Sequence, residues 1–192
     1  MSYDDDKWNE LFELAKPYLT VRHNQVHTEI CYNFAQQLLE KLGGDPEIVM
    51  PAIILHDVGW SAVPTEQHLL AFGPRKIDEN IRRIHEVEGA KIAARLLKQT
   101  SVKEENRLEI CRIIESHDSS EKAISLEEKI VKDADKLFRF SPEGFSIDAE
   151  RFAIERVEYR KMLQQFIKHW FFTDLAKEIA AKELQKIKNP QL

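Results

Sequence analysis

The strongest constraint on the fold is a spacing of about four residues between apolar side chains, which recurs along most of the chain. In the first clear segment the apolar positions are Val26, Ile30, Phe34, Leu38 and Leu42. An α-helix places residues i and i+4 on one face, whereas a half-buried strand needs alternating apolar and polar residues. No such alternation runs for more than a few residues, so the pattern predicts an all-α protein.

The same periodicity and the helix-end signals divide the chain into successive helices. We predict helices at residues 23–42, 48–57 and 84–98. A further helix is predicted from a cap at Ser101 to residue 116, another from a cap at Ser125 to residue 139, and one or two within 148–187. Gly43 and Gly44 suit a helix end, and Asp45-Pro46 suits a helix start. Ser101 with Glu104, and Ser125 with Glu128, each have the spacing of a capping box.

Two stretches interrupt this pattern. Pro51 lies inside a predicted helix, and since proline removes a hydrogen bond there, we expect a kink or a late start. Residues 59–74 contain two glycines and two prolines, which predicts a loop or lid. Its Trp60, Phe72 and His68 are candidates to cover a substrate, although an aromatic ring beside an apolar helix more often belongs to the core.

Composition excludes several classes of protein. The length of 192 residues suits one domain, which we divide into a helical lead-in (1–19), a core (20–140) and a helical extension packed on it (141–192). The chain has 28 Lys and Arg and 33 Asp and Glu, a net charge of −5, which argues against a nucleic acid polymer as partner. No apolar run reaches the roughly 18 residues that span a bilayer. Cys31 and Cys111 are too few for a disulfide framework, so we expect two reduced, buried thiols in a cytoplasmic protein.

A set of histidines and aspartates at predicted helix ends forms the candidate metal site. His56 and Asp57 follow the most apolar segment of the chain, where ionisable side chains need partners. Imidazole and carboxylate together suit transition-metal ions. The full set, in chain order, is His27, His56, Asp57, His85, His117 and Asp135.

This order of residues resembles the HD-domain superfamily of metal-dependent phosphohydrolases. The family pattern is a His, then His-Asp, then a distant Asp, and residues 55–59 (Leu-His-Asp-Val-Gly) and 133–137 (Asp-Ala-Asp-Lys-Leu) look like two of its motifs. The resemblance covers roughly residues 20–140 and implies a single helical bundle with the metal site between central helices. By the same resemblance, one ion would be held by His27, His56, Asp57 and Asp135.

The resemblance to the dinuclear branches implies a second ion at His85 and His117, with Asp57 bridging both ions and orienting the attacking water. It implies two divalent ions, Fe or Mn before Mg, Zn, Ni or Co. The implied substrate is a phosphate ester of a small molecule, a nucleotide being one candidate. Arg82, Lys136 and Arg139 are candidates to bind its phosphate, with Lys136 also stabilising charge in the reaction.

Other readings of the same residues stay open at this stage. The six ligands are shared with branches that resemble the mixed-valent di-iron oxygenases, so an oxygenase is one alternative. A non-catalytic metal-binding module is another, in which the aromatic C-terminal helices serve a partner or a homodimer. His23 lies one helical turn before His27 and competes with it as ligand. We interpret His68 and His169 as structural.

Overall fold

The computed structural model describes residues 5–71 and 77–187, and in these residues all regular structure is helical. Short 3₁₀ helices join or extend the α-helices at Asp5–Trp8, Lys16–Tyr18, Val58–Ala62, Thr65–Leu70 and Phe138–Phe140. The α-helices are α1 (Asn9–Ala15), α2 (Asn24–Leu42), α3 (Pro46–Leu55), α4 (Glu79–Leu97), α5 (Glu104–Ser116), α6 (Leu126–Leu137), α7 (Pro142–Arg151), α8 (Arg156–Phe166) and α9 (Asp174–Lys186). The prediction of an all-α fold is confirmed.

Helix α3 is the centre of the bundle. It packs against α2, α5 and α6, and every side chain from Val49 to Leu55 is buried. The Asp45 carboxylate caps its first turn by accepting from the Glu47 N–H at 2.8 Å, as predicted. The expected late start at Pro51 is wrong, because α3 begins at Pro46 and continues through Pro51. Burial of the whole helix outweighs the roughly 3 kcal/mol that an interior proline costs.

Several helix boundaries differ from the predicted ones because local caps decide them. Helix α4 begins earlier than expected, at Glu79, since the Asp78 carboxylate accepts from two N–H groups of its first turn. The expected cap at Ser101 is wrong, and Lys103 holds the N-cap position of α5 without a side-chain hydrogen bond. The Ser125 hydroxyl does cap α6, where it accepts from the Glu128 N–H at 3.1 Å.

The end of the chain holds more helices than the periodicity indicated. Helix α6 stops at Leu137 instead of reaching residue 139, and the one or two helices expected in 148–187 are α8, α9 and the end of α7. Helix α7 begins at Pro142, since the Ser141 hydroxyl accepts from the Gly144 N–H at 3.0 Å. Side chains from α7, α8 and α9 join the same core as those of α1 to α6. The division at residues 19 and 140 stays a prediction.

The segment predicted as a loop or lid contains short helices and is anchored on the bundle by a few buried residues. Two 3₁₀ helices, Val58–Ala62 and Thr65–Leu70, occupy most of it, and the first lies along α4. Trp60 and His68 are buried. The predicted roles of Phe72, Gly73 and Pro74 fall outside the described residues. No described helix has the length and apolarity that crossing a membrane requires.

The contact between residue 59 and α4 predicts an asymmetric response to mutation. A Cβ at Gly59 would lie 1.8 Å from the His85 carbonyl oxygen, whereas a Cβ at Gly89, on the facing helix, would meet Ile114 at 3.4 Å. We expect Gly59→Ala to lower the free energy of unfolding by about 3 kcal/mol through overpacking. Gly89→Ala, the matched control, should change it by less than about 1 kcal/mol. Urea titration of both variants measures this, and equal effects would contradict it.

Candidate metal centre

Four side chains from three helices form a first cluster, which consists of His27, Cys31, His56 and Asp135. The Nε2 atoms of His27 and His56 lie 2.9 Å apart. The Asp135 Oδ1 atom lies 3.2 Å from His27 Nε2 and 3.6 Å from His56 Nε2. Two imidazole nitrogens at this separation need a shared proton or a shared cation between them.

A second cluster lies beside the first and consists of Asp57, His85 and His117. The Nε2 atoms of His85 and His117 are 3.4 Å apart. Asp57 faces both clusters, since its Oδ1 lies 3.7 Å from His117 Nε2 and its Oδ2 lies 3.4 Å from His27 Nε2. The structure thus brings together all six residues that the sequence singled out as ligands.

Backbone carbonyl groups and Trp60 fix the orientation of these side chains. The Nδ1 atoms of His56 and His117 lie 2.7 Å from the Ile53 oxygen and 2.8 Å from the Ile114 oxygen. A ring that donates from Nδ1 presents the lone pair of Nε2 to the cluster, which is how metal-binding histidines are usually held. Trp60 Nε1 donates to Asp57 Oδ1 at 3.0 Å. Trp60 also stacks on the His85 ring with centroids 4.1 Å apart.

The charges in the clusters shift the pKa values of their members strongly. Burial alone would raise the pKa of Asp57, but the charges of His56, His27 and Arg22 and a contact with His117 hold it well below its ordinary value. Burial and the charge of His117 lower the pKa of His85 to about 3, which keeps that ring neutral. Burial opposes charging of His117, yet contacts with Asp57 and Glu86 raise its pKa to about 10.

Cys31 is a member of the first cluster that the sequence analysis took for an ordinary buried thiol. It is fully buried, and its Sγ lies 3.6 Å from His27 Nε2. The signal was present, since Cys31 stands four residues after His27 and therefore on the same helix face. Burial and the carboxylates of Asp135 and Asp57 raise the pKa of this thiol well above its ordinary value. Cys111, also expected to be buried, is partly exposed.

Glu86 holds the chain segment that follows His117, a member of the second cluster. Its buried carboxylate accepts from the backbone N–H groups of Asp118 and Ser119 at 2.9 and 2.8 Å, and from the Ser119 hydroxyl at 2.6 Å. Arg83 Nη1 donates to the same carboxylate at 3.0 Å. Glu86 thereby fixes the chain just after His117. Burial opposes its charge, but His117 and the Ser119 contacts lower its pKa.

A cavity of about 640 Å³ opens onto both clusters, because His117 and Asp135 line it. The three predicted phosphate ligands, Arg82, Lys136 and Arg139, line it as well. Much of the rest of its wall is apolar or aromatic and comes from residues after position 150, namely Phe152, Tyr159, Met162, Phe166, Trp170, Phe171 and Phe172. The structure therefore places basic and aromatic groups around one space beside the ligands.

Helix α6 holds this wall from both sides of Asp135. Lys136 Nζ donates to the Trp170 carbonyl at 2.8 Å and lies 4.3 Å from the centre of the Phe172 ring. The buried Asp133 carboxylate accepts from the backbone N–H groups of Phe172 and Thr173 at 2.8 and 2.9 Å. The segment Trp170–Thr173 is thus tied to the helix that carries a cluster carboxylate.

Other basic and histidine side chains either contact protein groups or line the cavity. Arg139 donates to the buried Asp148 at 2.8 Å while lining the cavity. His23 is the N-cap residue of α2 and belongs to neither cluster. His68 lies 2.9 Å from the Val63 carbonyl through Nε2, and His169 lines the cavity. Trp60, a candidate for a lid, instead packs in a small core with Val63, Ala71 and Ile81.

Comparisons with known proteins identify the family and the fold. The HD domain family model matches residues 25–139, which is more than half of the chain and includes all six residues. The chain is similar to the 1.45 Å crystal structure of a predicted HD superfamily hydrolase from an uncultured Thermotogales bacterium, with a TM-score of 0.61. The sequence identity is 19%, over 92% of this chain and 84% of the other, so the likeness is one of fold. No curated protein matches this chain.

The role of Glu86 predicts a pH-dependent loss of stability. We expect Glu86→Gln to lower the free energy of unfolding by about 2 kcal/mol at neutral pH, because buried N–H groups lose their charged acceptor. The pKa of Glu86 lies below 4.5 in the folded protein, so its contribution is present above that pH and is lost as the pH falls through the folded value. Denaturant titration at pH 7 and below pH 4.5 should show the difference shrinking.

The matched control is Glu88→Gln, two residues along the same helix. Glu88 forms a surface pair with Lys91 at 2.7 Å, and such pairs contribute less than about 1 kcal/mol. A loss of stability that is the same for both variants, or one that persists unchanged at low pH, would show that the Glu86 charge does not hold the chain after His117.

Proposed function

This chain belongs to the HD-domain family, and we propose that it is a metal-dependent phosphohydrolase that cleaves a phosphate ester of a small molecule. The observation that supports this most directly is the position of Asp57. Its Oδ2 lies 3.4 Å from His27 Nε2, and its Oδ1 lies 3.7 Å from His117 Nε2 and 3.8 Å from His56 Nε2, so the carboxylate lies between the two clusters. A carboxylate so placed suits a bridge between two cations.

The side chains present fit divalent metal ions. The Nε2 atoms of His27 and His56 converge to 2.9 Å, and those of His85 and His117 to 3.4 Å. The first cluster would hold one ion through His27, His56 and Asp135, and the second would hold another through His85 and His117. Asp57 would contribute to both. When bound, such ions supply an activated water and a Lewis acid for the phosphoryl group.

The residues of the chain then have distinct tasks. Asp57, held by the Trp60 N–H at 3.0 Å, orients the attacking water. Arg82, Lys136 and Arg139 place positive charge on the cavity side of the clusters, where the phosphate would lie. An ammonium or guanidinium at that position stabilises the negative charge that accumulates on the equatorial and leaving oxygens.

The cavity suggests the kind of phosphate ester. Its volume of about 640 Å³ lies within the range of small-molecule sites. The aromatic wall formed by Phe166, Trp170 and Phe172 suits the flat, apolar part of a substrate, so a nucleotide remains one candidate. A cavity of this volume suits a small molecule better than a nucleic acid polymer. The homodimer and the cytoplasmic setting stay predictions.

Metal content tests the proposal directly. Protein purified without chelator or nickel resin should contain two divalent ions per chain and hydrolyse at least one member of a panel of phosphate esters. His27→Asn and His117→Asn should each lose one ion and the hydrolysis, because each removes a nitrogen of a different cluster. Elemental analysis and a phosphate-release assay give both readings.

A control from the same helix makes this test specific. His23→Asn lies one turn before His27, tolerates the left-handed backbone at that position (φ 58°), and should keep both ions. One ion per chain, unaffected by His85→Asn or His117→Asn, would contradict the dinuclear site. Two irons with dioxygen consumption and no phosphate release would contradict the hydrolase and favour the oxygenase.

The basic wall of the cavity gives a second test. We expect Lys136→Met to raise the KM for the active phosphate ester, or the Kd for inorganic phosphate, by about tenfold, because one charged hydrogen bond contributes about 1.5 kcal/mol or more. With saturating metal, the number of ions per chain should not change, because Lys136 belongs to neither cluster. Lys129→Met, on the same helix but outside the cavity lining, is the control. An unchanged KM and Kd would show that Lys136 does not bind the phosphate and serves only as a hydrogen-bond donor to the Trp170 carbonyl.

A further inference from the structure

We propose that Cys31 is a thiolate ligand of the metal ion in the first cluster, which would make this a mixed histidine, carboxylate and thiolate site. The inference rests on the proposed function, since it assumes that a cation occupies this cluster. It adds a sulfur ligand to the set that the family pattern describes.

The position of the sulfur supports this assignment. Cys31 Sγ lies 3.6 Å from His27 Nε2, and the four donor atoms of the cluster all lie within 4.8 Å of one another. Metal–nitrogen and metal–sulfur bonds of about 2.05 and 2.3 Å with a tetrahedral angle between them separate the two ligand atoms by about 3.5 Å. The observed separation therefore suits two ligands of one ion.

The surroundings of the thiol favour a ligand over a packing group. Apart from His27, its closest polar contact is weak, since Sγ lies 3.9 Å from the Asp135 carbonyl oxygen. Helix geometry also places the thiol beside the other ligands, because a residue four positions after His27 projects from the same face, toward His56 and Asp135. Cys31 packs with the hydrophobic core, as buried cysteines commonly do, but its Sγ also lies within 4.8 Å of ligand atoms of His27, His56 and Asp135. Packing alone therefore does not account for a thiol beside two imidazoles and a carboxylate.

Coordination by sulfur has a defined chemical consequence. The S–H bond breaks, its proton passes to solvent, and the sulfur electron pair forms the bond to the metal, so that no oxidant or reductant is involved. A thiolate favours borderline ions such as Fe²⁺, Co²⁺ and Zn²⁺ over hard ions such as Mg²⁺. The first cluster should therefore select against Mg²⁺ more strongly than a site of nitrogen and oxygen ligands alone.

Cobalt spectroscopy tests the assignment without relying on activity. Co²⁺ is titrated into the metal-free full-length protein, and the near-ultraviolet sulfur-to-cobalt charge-transfer band is recorded with the visible d–d bands. The wild type and Cys111→Ser should both show the charge-transfer band, whereas Cys31→Ser should lose it while keeping d–d bands from cobalt on the remaining ligands. Cys111 is the matched control because it belongs to neither cluster.

The outcomes separate this inference from the proposed function. Cobalt that binds the wild type without a charge-transfer band overturns the role of Cys31 and leaves the histidine and carboxylate ligands standing. Failure of the wild type to bind cobalt overturns both. If Cys31→Ser does not fold, Cys111→Ser alone decides the question, because Cys31 is then the one cysteine in the chain.

Discussion

The burial of the Asp57 carboxylate at the end of α3 is the constraint on which the rest of the structure depends. An isolated carboxylate in such a position would cost several kcal/mol in lost hydration. The chain offsets this cost with the Trp60 N–H and with imidazoles from α2, from the end of α3 and from the end of α5. These groups reach Asp57 because α3 packs directly against α2, α5 and α6. The most apolar helix of the protein therefore positions its most polar centre.

Much of the fold could be predicted from the sequence because the relevant interactions are local. The Asp45 and Ser125 caps and the glycine stop after α2 each involve residues close together in the chain, and the sequence shows them directly. Pro51 differs, since the helix survives there through contacts with distant helices that no short window contains. The stretch from Gly59 onward differs for the same reason, because its composition suggests a loop while the contacts of its first 3₁₀ helix with α4 bury Trp60.

In the candidate site, too, the residues recognised by their order along the chain could be predicted, and those that depend on packing between distant segments could not. The order of histidines and aspartates identified the six ligand candidates, and the structure gathers them. Cys31 was missed because a buried thiol has a simpler explanation, although its spacing from His27 pointed to the cluster. The role of Glu86 could not be predicted, since it depends on a chain segment more than thirty residues away. The aromatic wall was unpredictable in the same sense, as it reaches the clusters only through the packing of α8 and the segment before α9.

The arrangement of α6 has one more consequence. Asp135 belongs to the first cluster, while Asp133 and Lys136, its near neighbours on the same turn, carry the segment Trp170–Thr173. The cluster and the cavity wall are therefore attached to the same turn of α6. If a cation is held at Asp135, an occupant that displaced the wall through these hydrogen bonds would change the free energy of cation binding. By thermodynamic reciprocity, the cation must alter the affinity for that occupant by the same factor. Under the proposed function, one helical turn would therefore link the binding of substrate to the binding of metal.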